Sequence, residues 1–308
     1  IGSILANILG TIGASLVCIH PFLHLNRHRR HKTHSLMFFI YFIGNIGGSL
    51  TPLGDPPLLL GYLNGVPFTW TFIYLGKPWL CMMILGMGLY YVIDRYFWKK
   101  ESVTPSQNTT LRVENFQGAR IFAFLLLITG TFIAISFAFH QNKIMKTVAQ
   151  YVLLGTTWGW LKIFRPQISW YPVQEMASVF GGLFFTSFPL MQALESGTVF
   201  DTTQWSASHI FWSAGVLSAF LDNAPTYMMV FHALGGSSAA THTPHLLQAL
   251  SMGTVYMGAL TYIGNSPNFL IRSIAQEQKL WLPSFGGYLF YSLGILLPLM
   301  ALSLWLCL

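Results

Sequence analysis

The strongest constraint on this chain is a set of apolar runs with almost nowhere to put a charge. Residues 119–139, 176–194, 79–93 and 288–308 contain a single charged residue between them, Arg120. Crossing about 30 Å of hydrocarbon takes about 20 apolar residues, and runs of this kind supply them. Over the 308 residues 8% are charged and 53% hydrophobic, with a mean hydropathy of +0.54. Soluble domains carry about 25% charged residues, so the solvent here is lipid and the fold is that of an all-α, multi-pass membrane protein.

The net charge of +7 would suggest a nucleic-acid partner in a soluble chain. Here the cations lie in loops between apolar segments, where they orient the chain in the bilayer. The partner is the lipid bilayer and no nucleic acid is expected. Cys18, Cys81 and Cys307 are scattered inside apolar runs without metal-ligand spacing and read as packing residues. No cofactor is implied.

Self-similarity organises the rest. Gly48-Ser49-Leu50-Thr51-Pro52-Leu53-Gly54-Asp55-Pro56-Pro57 can be laid over Gly258-Ala259-Leu260-Thr261-Tyr262-Ile263-Gly264-Asn265-Ser266-Pro267 at a constant offset of 210. Both motifs interrupt apolar stretches, 37–62 and 246–274, with residues that cannot continue a helix. Non-helical backbone at membrane depth is tolerated where it is packed in protein or lines a cavity. Interrupted segments at matching places in two halves point to a transporter's binding site. A pair of proline kinks that merely packs helices is the plainer account, and it does not explain the matched Thr, Gly and Asp/Asn.

Charge then sets topology. The loop 22–35 holds Arg27, Arg29, Arg30 and Lys32, whereas its counterpart 235–245 holds no Lys or Arg. With cationic loops cytoplasmic, the two motifs are inserted upside down relative to each other. Loops 98–120, 162–165 and 272–279 also fall inside; Lys77, Lys143 and Lys146 fall outside. The expected architecture is an inverted repeat, residues 1–118 and 119–308, with two re-entrant hairpins and two broken transmembrane helices. The second repeat has three spans (119–140, 144–164, 176–194), a hairpin at 206–234 broken at Asp222-Asn223-Ala224-Pro225, the broken helix and a last helix. The first repeat starts inside its hairpin, 4–23, turning near Gly13-Ala14-Ser15. By symmetry it is truncated, with roughly ninety residues and three spans expected upstream of Ile1.

Of nine acids, two fall at membrane depth: Asp55 and Asp222. No Lys or Arg lies in either motif. A buried carboxylate so placed holds a proton or binds a cation in its stead, and competition between the two is the minimal chemistry of cation/proton exchange. The alternative is that each Asp only caps N–H groups at its helix break. Asn45, Thr51, Asn223, Thr261, Asn265 and Asn268 offer neutral oxygens around the same breaks, a donor type that suits sodium. A hydroxyl in a membrane helix can equally bond its own backbone.

At these motifs the sequence resembles the ion transporter superfamily, which includes NhaD-type sodium/proton antiporters, arsenite exporters, citrate carriers and dicarboxylate/sodium symporters. Asn45-Ile46-Gly47-Gly48 with Thr51 to Pro57 is similar to the first-half signature; 219–226 and 261–268 are similar to the second-half hairpin and broken helix. The likeness is greatest to a bacterial group described as sodium:proton antiporters or CitM-like citrate transporters. It implies two hairpins and two broken helices around a midplane site, elevator-type movement, a homodimer, and residence in the bacterial inner membrane. Na⁺ and H⁺ are then the transported ions, with Asp55 and Asp222 as their carriers. Citrate or another carboxylate is the alternative cargo. The dicarboxylate branch carries paired Ser-Asn-Thr motifs at its hairpins, whereas this chain has Gly13-Ala14-Ser15 and Asp222-Asn223-Ala224.

Other classes fit less well. His24, His28, His31 and His34 resemble one histidine box of a di-iron membrane enzyme, but Arg27, Arg29, Arg30 and Lys32 thread the cluster and oppose a metal. A solvated basic turn meeting anionic lipid accounts for it better. Gly-x-Ser-x-Gly and His-Glu-x-x-His are absent from the sequence, so the chain is not expected to be an enzyme. A channel would use the same broken helices.

Overall fold

In a computed structural model every described element is helical. The structure describes residues 1–101, 142–164 and 205–308, with isolated positions between 124 and 138 and between 178 and 189. The expected spans 119–140 and 176–194 lie largely outside the described residues, as do Glu114, Glu175, Glu195 and Asp201. The chain forms two compact units. One comprises Ile1–Thr104 with Gly182–Leu308; the other, Pro105–Gly181, contains helix α5 (Lys143–Phe164), where a span was expected at 144–164.

The larger unit opens with α1 (Gly2–Leu25) and α2 (Thr33–Phe42), joined by the basic turn. A short 3₁₀ turn, Ile46–Leu50, and an extended stretch lead to α3 (Pro56–Leu63), followed by the long α4 (Phe68–Lys99). After the smaller unit come α6 (Ala207–Leu221) and α7 (Asn223–Ala233), then the short α8 (Ala239–His242). Helix α9 (Pro244–Met257) ends in a 3₁₀ turn, Gly258–Leu260, and α10 (Ser266–Glu277) and α11 (Phe285–Cys307) complete the chain. Three of these are long and apolar enough to cross a membrane: Gly2–Leu25, Phe68–Lys99 and Phe285–Cys307. Helices α4 and α11 turn large side chains such as Phe72, Ile84, Phe290 and Trp305 outward, as a lipid-facing surface does.

Local chemistry explains where the helices stop. Pro56 and Pro267 stand in the first turns of α3 and α10, where a missing N–H costs nothing. Ser206 and Ser284 cap α6 and α11 by accepting from the N–H groups of His209 and Gly287. Helix α1 is interrupted at Gly10 (φ 77°, ψ 159°). This corrects the expected turn at Gly13-Ala14-Ser15, which continues the helix. A positive φ with extended ψ is a conformation that Gly adopts freely and that Ala or Ser resists. The N–H of the next residue, Thr11, is held by the Gly54 carbonyl at 2.8 Å. Beyond the break Thr11–Leu25 rises about 22 Å at 1.5 Å per residue, and the 15-residue α6 rises the same, both short of a full crossing.

Contacts in this unit interleave early and late segments. Helix α1 packs on α10, α3 on α7, and α4 on α11. Tyr41 on α2 bonds Ser292 on α11 at 3.0 Å, and Tyr288 donates to the Ala259 carbonyl at 2.9 Å. Tyr262 stacks on Tyr288 with ring centroids 4.0 Å apart. This part of the core is thus aromatic: the Tyr41 phenol ties the early segment to the late one, and the Tyr288 phenol closes on a carbonyl of its own segment.

Candidate functional site

Both motifs break their helices in the same way. Thr51 (φ −128°, ψ 154°) and Thr261 (φ −128°, ψ 163°) are extended, and so are Asp55 (φ −140°, ψ 143°) and Asn265 (φ −155°, ψ 140°). A Cβ on Gly54 would collide with the Gly48 carbonyl oxygen, and one on Gly264 with that of Gly258. Glycine is required at both positions because the chain doubles back onto its own backbone. The breaks at Gly10 and Asp222 match as well. Asp222 (φ 73°, ψ 148°) has nearly the dihedrals of Gly10.

These four breaks converge on one carboxylate. Asp55 is 1% exposed. Its Oδ1 accepts from Thr11 Oγ1 at 2.9 Å and from Asn265 Nδ2 at 3.1 Å; its Oδ2 accepts from Asn223 Nδ2 at 2.6 Å. Each donor stands at a different break: Thr11 beside Gly10, Asn265 at the second interrupted helix and Asn223 beside Asp222. Among the described residues no ion pair involves Asp55 or Asp222; the ion pairs found are those of Asp94 and Glu101.

An asparagine layer backs the carboxylate. Asn265 Nδ2 also donates to Asn45 Oδ1 at 3.0 Å, and Asn45 Nδ2 donates to Asn268 Oδ1 at 2.6 Å and to the Ile40 carbonyl at 2.9 Å. Asn268 Nδ2 reaches the carbonyls of Gly258 and Thr261, both at 2.8 Å. Carbonyls freed where the helix unwinds are thereby satisfied. Two oxygens of the cluster, Asn223 Oδ1 and Asn265 Oδ1, are buried without a hydrogen-bond partner. Leaving such an acceptor unpaired costs about 1–3 kcal/mol, and a hard cation is the ligand that uses amide and carboxylate oxygens together.

The structure sorts the nominated residues. Asn223 and Asn265 each bond Asp55 directly, and Asn45 and Asn268 extend the chain of amides from Asn265. The two threonines turn to backbone instead: Thr51 Oγ1 donates to the Asn7 carbonyl at 2.6 Å, and Thr261 Oγ1 to that of Ala219. They tie each interrupted helix to its hairpin. Asp222, 4% exposed, accepts from the Ala224 N–H at 3.1 Å, the capping bond that its place at the head of α7 allows.

Two residues escaped the sequence reading. Thr11 is the donor from the first hairpin, and Asn7 holds the first break together, accepting from the N–H groups of Leu50 and Thr51 and donating to the Ser3 and Gly47 carbonyls. The signal for Thr11 was available, since aligning the hairpins on Gly10 and Asp222 sets it opposite Asn223. Among the described residues no group of three or more His, Cys, Asp or Glu side chains could hold a metal.

The model of the family described as "Putative citrate transport" matches residues 1–308, the whole chain. No curated protein matches it.

Proposed function

The chain belongs to this citrate transport family, and on that premise we propose that it is a secondary active transporter whose coupling chemistry is centred on Asp55. The reading is a sodium/proton antiporter: the Asp55 carboxylate binds H⁺ on one stroke and Na⁺ on the other. One observation carries it. A buried carboxylate, with unpaired amide oxygens on the two asparagines that bond it, offers oxygens of the kind a small hard cation takes. Protonation would neutralise the same charge and leave the oxygens to neutral hydrogen bonding, so one site serves both ions in turn.

The breaks at Gly10 and Asp222 would be the tips of two re-entrant hairpins, inserted from opposite sides in an inverted repeat. The short rises of Thr11–Leu25 and α6 support this, as does the recurrence of the backbone at both positions. Residence in a bacterial inner membrane, homodimeric assembly and elevator movement go with this reading through the superfamily resemblance.

The second reading is carriage of citrate or another carboxylate, favoured by the family's description. Na⁺ or H⁺ at Asp55 would then be the coupling ion. The test is a pH gradient across vesicles carrying the full-length protein, wild type against Asp55→Asn. Collapse of the gradient on adding Na⁺ or Li⁺, lost in the variant, is the antiporter's result. Silence to both cations with uptake of labelled citrate sinks the antiporter and leaves the carboxylate carrier.

A further inference from the structure

The basic turn after α1 splits its four cations between two fates. Arg29 is turned inward: it pairs with Asp94 at 2.7 Å and Glu101 at 3.6 Å, and lies over the Trp98 ring at 5.3 Å. Glu101 also accepts the His31 N–H at 2.9 Å, so the turn is pinned to the end of α4. Arg27 donates to its neighbour His28 at 2.8 Å. Arg30 is exposed and makes no hydrogen bond or ion pair among the described residues, and Lys32 reaches only the Arg27 carbonyl, at 3.5 Å.

Arg30 and Lys32 stand on the rim of a cleft whose walls are of the opposite character. Phe22 and Leu23 from α1, Leu36 from α2 and Leu280 line it. Trp281 closes one side with 70% of its surface exposed, its carbonyl held by Thr33 Oγ1 at 3.1 Å. The apolar run of α1 ends at Leu25, so the cleft sits where hydrocarbon gives way to headgroups, the level that exposed tryptophans mark. Glu277, the nearest acid in sequence, does not line it.

We propose that this cleft binds one anionic phospholipid, with its phosphate on Arg30 and Lys32 and the upper acyl carbons against Phe22, Leu23, Leu36 and Leu280. Charge complementarity selects the occupant: two cations without an ion pair among the described residues need an anion, and the apolar walls need a chain that a soluble anion lacks. A zwitterionic lipid would satisfy the walls and place its own cation beside the rim.

Native mass spectrometry of the purified full-length protein tests this with phosphatidylglycerol, phosphatidylcholine and inorganic phosphate as probes. One phosphatidylglycerol should stay bound per chain, at least ten times more tightly than phosphatidylcholine. Each basic residue near a membrane surface is worth about fivefold, so Arg30→Gln with Lys32→Gln should weaken it roughly 25-fold. Arg27→Gln with Lys100→Gln removes the same charge outside the cleft and should leave affinity within about twofold. Equal losses in the two double variants would show a general field and overturn the site. Equal affinity for phosphatidylcholine, or displacement by inorganic phosphate, would overturn it too. A photoreactive phosphatidylglycerol on the wild type gives an independent check: peptides bearing Arg30 or Trp281 must be labelled, and labelling confined elsewhere refutes the proposal.

Discussion

The breaks at Gly10 and Asp222 share a backbone and differ in what they carry. Gly10 and Asp222 adopt the same positive φ with extended ψ. At Gly10 that conformation is free of strain. At Asp222 it costs about 1–3 kcal/mol, because a side chain resists this region. The interrupted helices reverse the assignment: the first carries the acid, Asp55, and the second the amide, Asn265, in matching extended conformations. The acid thus stands at the interrupted helix in the early segment and at the α6–α7 break in the late one. Duplicated backbone sets where chemistry can stand, and side-chain divergence decides which chemistry does.

The largest expected effect probes the shared backbone. Gly54→Ala and Gly264→Ala each drive a Cβ into a carbonyl oxygen of the same motif. Each should cost upward of about 3 kcal/mol, seen as lost or aggregated protein in detergent thermal melts. A variant that melts like wild type would mean that the two breaks are not equally tight and would break the comparison.

Next comes the divergent chemistry. In Asp55→Asn an amide NH₂ must face Thr11, Asn223 or Asn265, all of which donate there now. Losing a charged acceptor is worth about 1.5–3 kcal/mol, so transport by the full-length protein should fall roughly 10- to 100-fold. Asn265→Asp, which sets a second carboxylate against the first, should also impair transport. Wild-type flux in Asp55→Asn would remove this residue from the ion path.

The breaks at Gly10 and Asp222 should respond with opposite signs. Gly10→Ala has room for its Cβ, the nearest atom being the Leu53 carbonyl oxygen at 3.4 Å, so its cost is conformational: about 1–3 kcal/mol. Asp222→Gly relieves strain and loses one cap, and should melt within about 1 kcal/mol of wild type or above it. Reduced transport in a protein so stable would give the strained Asp a function. Transport unchanged would leave it a cap. The smallest effect belongs to Tyr41→Phe, which removes the bond to Ser292 and should cost about 1 kcal/mol with transport intact.

Much of this was legible in the sequence because lipid makes backbone rules strict. An unbroken helix is the default, so Thr51-Pro52-Leu53-Gly54-Asp55 and its partner 210 residues later announce themselves as exceptions, and the structure unwinds both. The break at Asp222 was legible for the same reason. The break at Gly10 was not: Gly10-Thr11 and Gly13-Ala14-Ser15 are equally plausible weak points, and the choice depends on Gly54 offering its carbonyl to Thr11 across the fold.

By itself, then, the sequence determined the membrane class, the two interrupted helices and the identity of the buried carboxylates, since charge and proline are costly in lipid wherever they fall. Tertiary structure alone decided which polar groups meet. It spent both threonine hydroxyls on backbone carbonyls, brought Thr11 to Asp55, folded Arg29 inward and left Arg30 facing out. The physical reason is that a hydrogen bond is short and directional, so its partner depends on ångström-scale placement of segments distant in the chain, which no local pattern encodes.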